Sequence, residues 1–102
     1  MLIGIPKEIL SEENRVAATP DTVKKFIALG FKVAVESSAG KGIMITDDDY
    51  INAGAEIISD TEALFEKSDL VLKVKQPEFN SKTGKHEADM IRDGSMLITF
   101  IM

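Results

Sequence analysis

Thr19-Pro20-Asp21-Thr22-Val23-Lys24-Lys25-Phe26-Ile27-Ala28-Leu29-Gly30, followed at once by Phe31-Lys32-Val33-Ala34-Val35, reads as a helix running straight into a strand. A hydroxyl stands where an N-cap belongs. Proline takes the first helical position, where its missing N–H costs nothing, and Asp21 places negative charge in the first turn. Val23, Phe26 and Ile27 fall at i, i+3 and i+4, a single apolar stripe. Gly30 is placed to end the helix as a left-handed cap. Ahead of this stretch, Leu2–Ile5 reads as a strand stopped by Pro6, which cannot donate to a ladder. Strand, helix and strand in that order are the unit of a parallel sheet with crossover helices.

The alternation continues to the end of the chain. Thr46-Asp47-Asp48-Asp49 opens a second helix that ends at Gly54, with acids where the helix dipole favours them. Glu56–Ile58 is a brief third strand, and Ser59-Asp60-Thr61-Glu62 matches a capping box for a third helix through about Lys67. Asp69–Val74 forms a fourth strand. Gln76 to Gly84 is the longest unpatterned stretch, a surface loop, and residues 85–92 make a weak fourth helix. Met96–Ile101 is the fifth strand. The expected fold is therefore α/β: an open, mostly parallel five-stranded sheet with helices on both faces, Rossmann-like or flavodoxin-like. The last strand is among the most apolar segments and no covering helix follows it, a pattern that predicts an incomplete domain.

Composition narrows the possible functions. The 102 residues, 44% hydrophobic, supply one domain. Seventeen acids against twelve Lys and Arg give a net charge of −5, which argues against nucleic acid as a partner. The absence of cysteine excludes disulfides, thiolate zinc sites and thiol nucleophiles, and a single histidine, His86, excludes a histidine-rich metal site. No apolar run approaches the roughly 18–20 residues of a membrane span. Nor does Met1 to Pro6 resemble a signal peptide. The chain reads as cytoplasmic, with no direct membrane insertion.

In an open parallel sheet, ligands bind beyond the carboxyl ends of the strands. Two cations belong to that edge: Arg15, in the long connection after the first strand, and Lys75, at the end of the fourth. Together they can hold a small carboxylate, the guanidinium as a fork and the ammonium as a point charge. The plainer alternative is that Arg15 pairs with Glu12 or Glu13 and Lys75 is a solvated strand end. Gly40-Lys41-Gly42 fails as a dinucleotide fingerprint, because the third glycine would fall at Ile45. Asp47-Asp48-Asp49 reads as a match to the helix dipole rather than a cation site, and His86 as a surface residue. No nucleophile and base are paired, so no catalytic residue and no metal ligand are predicted.

Met1-Leu2-Ile3-Gly4-Ile5-Pro6-Lys7-Glu8 and Glu13-Asn14-Arg15-Val16-Ala17-Ala18-Thr19-Pro20 closely resemble the opening of the alanine dehydrogenase and nicotinamide nucleotide transhydrogenase family. Val33 to Gly40, Ala53 to Glu56 and Leu72 to Pro77 continue the resemblance in order, across the whole chain. Resemblance to the alanine dehydrogenases maps their pyruvate-binding arginine onto Arg15 and their substrate-binding lysine onto Lys75. The catalytic histidine of the alanine dehydrogenases falls at Met102, which cannot act as acid or base. That replacement, the wording of Arg15 to Pro20 and of Val33 to Ser37, and the extra Lys85 to Ile91 stretch resemble the transhydrogenase alpha subunit. Lys75 points toward the alanine dehydrogenases, since transhydrogenases often carry an amide there.

The resemblance implies a piece of the NAD(H)-binding component of a proton-translocating NAD(P) transhydrogenase, peripheral on the cytoplasmic face of the inner membrane. Residues 1–102 are then a partial N-terminal domain, with the NAD-binding Rossmann domain expected downstream. The implied partners are the remainder of the alpha subunit and a membrane-borne, NADP-binding beta subunit, with the complete component a homodimer. Alone, the chain is expected to be inactive and to hold no NAD(H) tightly. The alternatives are the substrate domain of an NAD-dependent alanine dehydrogenase and a stand-alone small α/β ligand-binding module. A phosphoacceptor receiver suits the module reading poorly, because Pro6-Lys7 replaces the acids it needs after the first strand. A flavin protein suits it no better, because Ile9 to Glu13 is acidic rather than rich in Ser, Thr and Gly.

Overall fold

A computed structural model describes residues 1–9, 13 and 15–99. The expectations placed on Glu12, on Met102 and on the last residues of the fifth strand lie outside the described residues. β1 (Leu2–Ile5), β2 (Lys32–Glu36), β3 (Glu56–Ile58), β4 (Leu70–Lys73) and a final strand, Met96–Thr99, form one parallel sheet. β1 is central: Ile3 pairs with Val33 of β2 on one side and with Leu70 of β4 on the other. β3 lies outside β2, and Met96–Thr99 lies outside β4.

Each helix starts where the chain offers a side-chain acceptor. α1 (Pro20–Ala28) is capped by Thr19, whose hydroxyl accepts from the Thr22 N–H. α2 (Asp47–Asn52) has a complete capping box between Thr46 and Asp49. α3 (Thr61–Lys67) is capped by Asp60 rather than Ser59, because the carboxylate reaches the N–H groups of both Glu62 and Ala63. α1 and α2 cover one face of the sheet, where Val23 and Tyr50 pack with Ile3, Ile5, Val33, Val35 and Leu72. α3 covers the other, where Leu64 meets Ala34 and Ile58, and Phe65 meets Val71. Gly4 is required where that junction crosses β1: a Cβ there would lie 1.9 Å from Ser68 Oγ.

Residues 76–92 depart from expectation. The loop contains a small antiparallel hairpin of β5 (Phe79–Asn80) and β6 (Lys85–His86), with Phe79 opposite His86. Asn80 closes its turn twice: the carbonyl accepts from the Gly84 N–H at 2.9 Å and Oδ1 from the Lys82 N–H at 2.9 Å. The helix expected over 85–92 is a single turn, α4 (Glu87–Met90), because β6 claims its first two residues. His86 Nδ1 then accepts from the Ala88 N–H at 3.1 Å and caps it. The outermost strand, Met96–Thr99, is β7. No helix among the described residues is long and apolar enough to cross a membrane.

Candidate functional site at the carboxyl edge of the sheet

β1 and β4 are neighbours, so the loop leaving β1 and the segment leaving β4 rise side by side at the carboxyl edge. The first carries Arg15 and the second Lys75. Arg15 grips Glu13: its Nε donates to Oε2 at 3.0 Å, its Nη2 to Oε1 at 2.8 Å, and its backbone N–H to Oε2 at 2.9 Å. The carboxyl of Glu13 is drawn down to about 2, first by the Arg15 side chain and then by its backbone N–H, with the charge of Lys75 adding to the pull. Both cations named from sequence therefore act on one carboxylate. The pairing of Arg15 with Glu13 is the plainer of the two expectations, and Lys75 stands within electrostatic reach of the same group. A cleft of about 180 Å³, lined by Lys7, Glu8, Glu13, Arg15, Lys41 and Gly42, opens at this point.

Beneath the cleft lies a charge cluster with no local sequence signature. Lys73, the last residue of β4, points inward with a side chain only 1% exposed. Its Nζ lies 3.1 Å from Glu8 Oε1 and 3.3 Å from Glu87 Oε1. Glu8 also accepts from the backbone N–H groups of Val74, at 3.0 Å, and Lys75, at 3.1 Å. Glu87 Oε1 accepts from the Glu78 N–H at 3.0 Å, while its Oε2 has no hydrogen-bond partner among the described residues. Burial pushes the Glu87 carboxyl above the usual carboxylate range, against the opposing pull of Lys73. Two carboxylates and one ammonium, all nearly sealed from water, are costly unless fully bonded. A third buried glutamate, Glu36, ends β2 and accepts from the Lys7 N–H at 2.9 Å and the Thr61 hydroxyl at 2.7 Å.

The other candidates are used in folding. Asp47 accepts from the Ser37 hydroxyl and the Ser38 N–H, both at 2.8 Å, and Asp49 completes the α2 cap. Gly40 is small because Ile45 fills the space a Cβ would take, at 2.8 Å, and Lys41–Ile43 is one tight turn. The same loop lends Lys41 and Gly42 to the lining of the cleft at Arg15. Among the described residues no group of three acidic or histidine side chains is placed to hold a metal ion. A larger cleft, about 640 Å³, is at the opposite, amino edge, lined by Met1, Leu2, Phe31 and Lys32 among others. Neither Arg15 nor Lys75 lines it.

The family model described as alanine dehydrogenase/PNT, N-terminal domain, matches residues 4–102. An alanine dehydrogenase of Methanococcus maripaludis is 43% identical over 101 residues, covering 99% of this chain and 26% of that protein. The NAD(P) transhydrogenase subunit alpha of Haemophilus influenzae is 41% identical over 101 residues, covering 99% of this chain and 18% of that protein. A solved structure of transhydrogenase from Sinorhizobium meliloti superimposes with a TM-score of 0.84 at 36% identity, over 99% of this chain and 28% of that one. The chain thus spans between 18% and 28% of the length of these relatives.

Proposed function

Because the chain belongs to the alanine dehydrogenase/PNT N-terminal domain family, we propose that it is a piece of the NAD(H)-binding component of a proton-translocating NAD(P) transhydrogenase. The branch rests on Met102, which stands where the alanine dehydrogenases carry their catalytic histidine; the ligand surface rests on four of the five segments that resemble the family, which run over the carboxyl edge. These are Met1 to Glu8, Glu13 to Pro20, Val33 to Gly40 and Leu72 to Pro77. The likeness therefore falls on the surface where an open parallel sheet takes its ligand. Arg15 and Lys75 form the anion-holding pair of that surface, and Glu13 occupies it from within the chain. The dinucleotide site belongs to residues other than these 102, and so does any hydride step. The remainder of an alpha subunit, a membrane-borne beta subunit and a second copy of the component are its partners in this reading.

A second reading has one residue in its favour. Lys75 suits an alanine dehydrogenase, in which Arg15 and Lys75 hold the carboxylate of pyruvate. The two readings separate on the product of the whole reading frame that encodes these residues, expressed with any adjacent subunit. Membranes carrying it are expected to reduce NADP⁺ with NADH and to show no alanine-dependent reduction of NAD⁺. Alanine-dependent reduction without transhydrogenation establishes the second reading instead. For the 102-residue chain itself, calorimetric titration with NADH is expected to show no heat of binding. Micromolar affinity overturns the assignment of the dinucleotide site to residues outside it.

A further inference from the structure

Glu8 is buried in the loop leaving β1, yet its hydrogen bonds go to the end of β4. The β1–β4 ladder registers Ile3 with Leu70 and Gly4 with Val71. Beyond it, Glu8 extends the contact through its side chain. Oε2 takes the Val74 N–H, and Oε1 takes the Lys75 N–H together with the Lys73 ammonium. Glu87 holds the same ammonium from α4. One carboxylate thus joins the loop that carries Arg15 to the backbone that carries Lys75. A glutamine cannot reproduce this, because its NH₂ would face a donor, and an aspartate is one methylene too short.

We propose that Glu8 is the positioning residue of the carboxyl-edge mouth: by clamping the Val74 and Lys75 amides to the β1 loop, it sets the spacing between Lys75 and Arg15 that a small carboxylate ligand bridges. The inference rests on the reading of Arg15 and Lys75 as an anion-holding pair, and its test separates the two.

The clamp is read without ligand, on the unmodified 102-residue chain, by nuclear magnetic resonance. The amides of Val74 and Lys75 are expected to exchange slowly with solvent and to show scalar coupling across their hydrogen bonds to the Glu8 carboxylate carbon. Amides that exchange freely and show no such coupling overturn the proposal, whether or not any variant folds. Spacing is read from selectivity, by titrating pyruvate and malonate while following the Arg15 Nε–H. Glu8→Asp keeps the charge but draws the carboxylate back. It is expected to weaken pyruvate about tenfold and to change the pyruvate-to-malonate ratio. Val23→Ala, a core change away from the mouth, lowers stability and leaves that ratio alone. An unchanged ratio in a folded Glu8→Asp chain overturns the proposal. If pyruvate leaves the unmodified chain untouched, the ligand reading fails, and the coupling across the amide hydrogen bonds alone decides whether Glu8 holds Lys75.

Discussion

Glu87 shows how a single side chain can be both necessary and unfavourable. Its Oε1 is needed by the Glu78 N–H and by Lys73, while its Oε2 is buried with no hydrogen-bond partner among the described residues. Because burial raises its folded-state pKa, the folded state holds that proton at pH values where the unfolded chain has already lost it. Its contribution to stability is therefore full below the ordinary carboxylate range and is lost as pH rises through the raised folded value. Glu87→Gln keeps the acceptor and removes the charge. The variant is expected to be at least as stable as the parent at pH 7, and to flatten the stability–pH curve just above pH 4.5, measured by urea unfolding at a series of pH values. A parent curve that climbs with pH through this range, with Glu87→Gln unchanged in slope, counts against the account. Lys73→Met has the opposite character. It leaves two carboxylates facing each other without a counter-charge, and a loss of about 3–5 kcal/mol is expected by the same unfolding measurement.

Between elements, Tyr50 does what the capping residues cannot. It sits on α2, fully buried, and its hydroxyl donates to the Ala18 carbonyl at 2.7 Å, just ahead of the Thr19 cap of α1. α2 thereby fixes the point at which α1 begins. Burial, with the nearby charge of Asp47, pushes the phenol up to about 12. The proton is held by the folded chain and released by the unfolded one between about pH 10 and that value, so stability falls across the interval as pH rises. Tyr50→Phe leaves the Ala18 carbonyl without this donor and is expected to cost about 1–3 kcal/mol at pH 7. It should also remove this part of the alkaline loss, as followed by circular dichroism. The caps of α1 and α2 were legible because each is written within four residues. The contact between Tyr50 and Ala18 was not, because its partners stand 32 positions apart. The same holds for the site. Arg15 and Lys75 could be named from the ends of strands, but Glu8 and Lys73 meet across 65 positions, and nothing near either residue signals the other. The hairpin leaves no trace in the pattern because two-residue strands carry no period.

At the scale of the whole molecule, the helices leave one strip of sheet bare. α1 and α2 cover the face over β1, β2 and β3, while α3 and α4 lie on the opposite face. In register, Leu70 stands beside Met96 and Leu72 beside Ile98, so the two β7 side chains extend the apolar face that Leu72 shares with β1. Among the described residues no helix covers them, and Met96 is 53% and Ile98 45% exposed. β7 is also an edge strand, with one row of its backbone groups unpaired in the sheet of described residues. An apolar strip on an open edge favours pairing with a second copy, and its small area keeps that pairing weak. Multi-angle light scattering is expected to show the apparent mass of the 102-residue chain rising with concentration. Replacing Met96 and Ile98 together by lysine puts charge on positions already half in water, so the fold should survive and the chain should stay monomeric throughout. A sharp monomer for the unmodified chain at high concentration removes the argument. Self-association that persists in the lysine variant moves the contact to the other edge strand, β3.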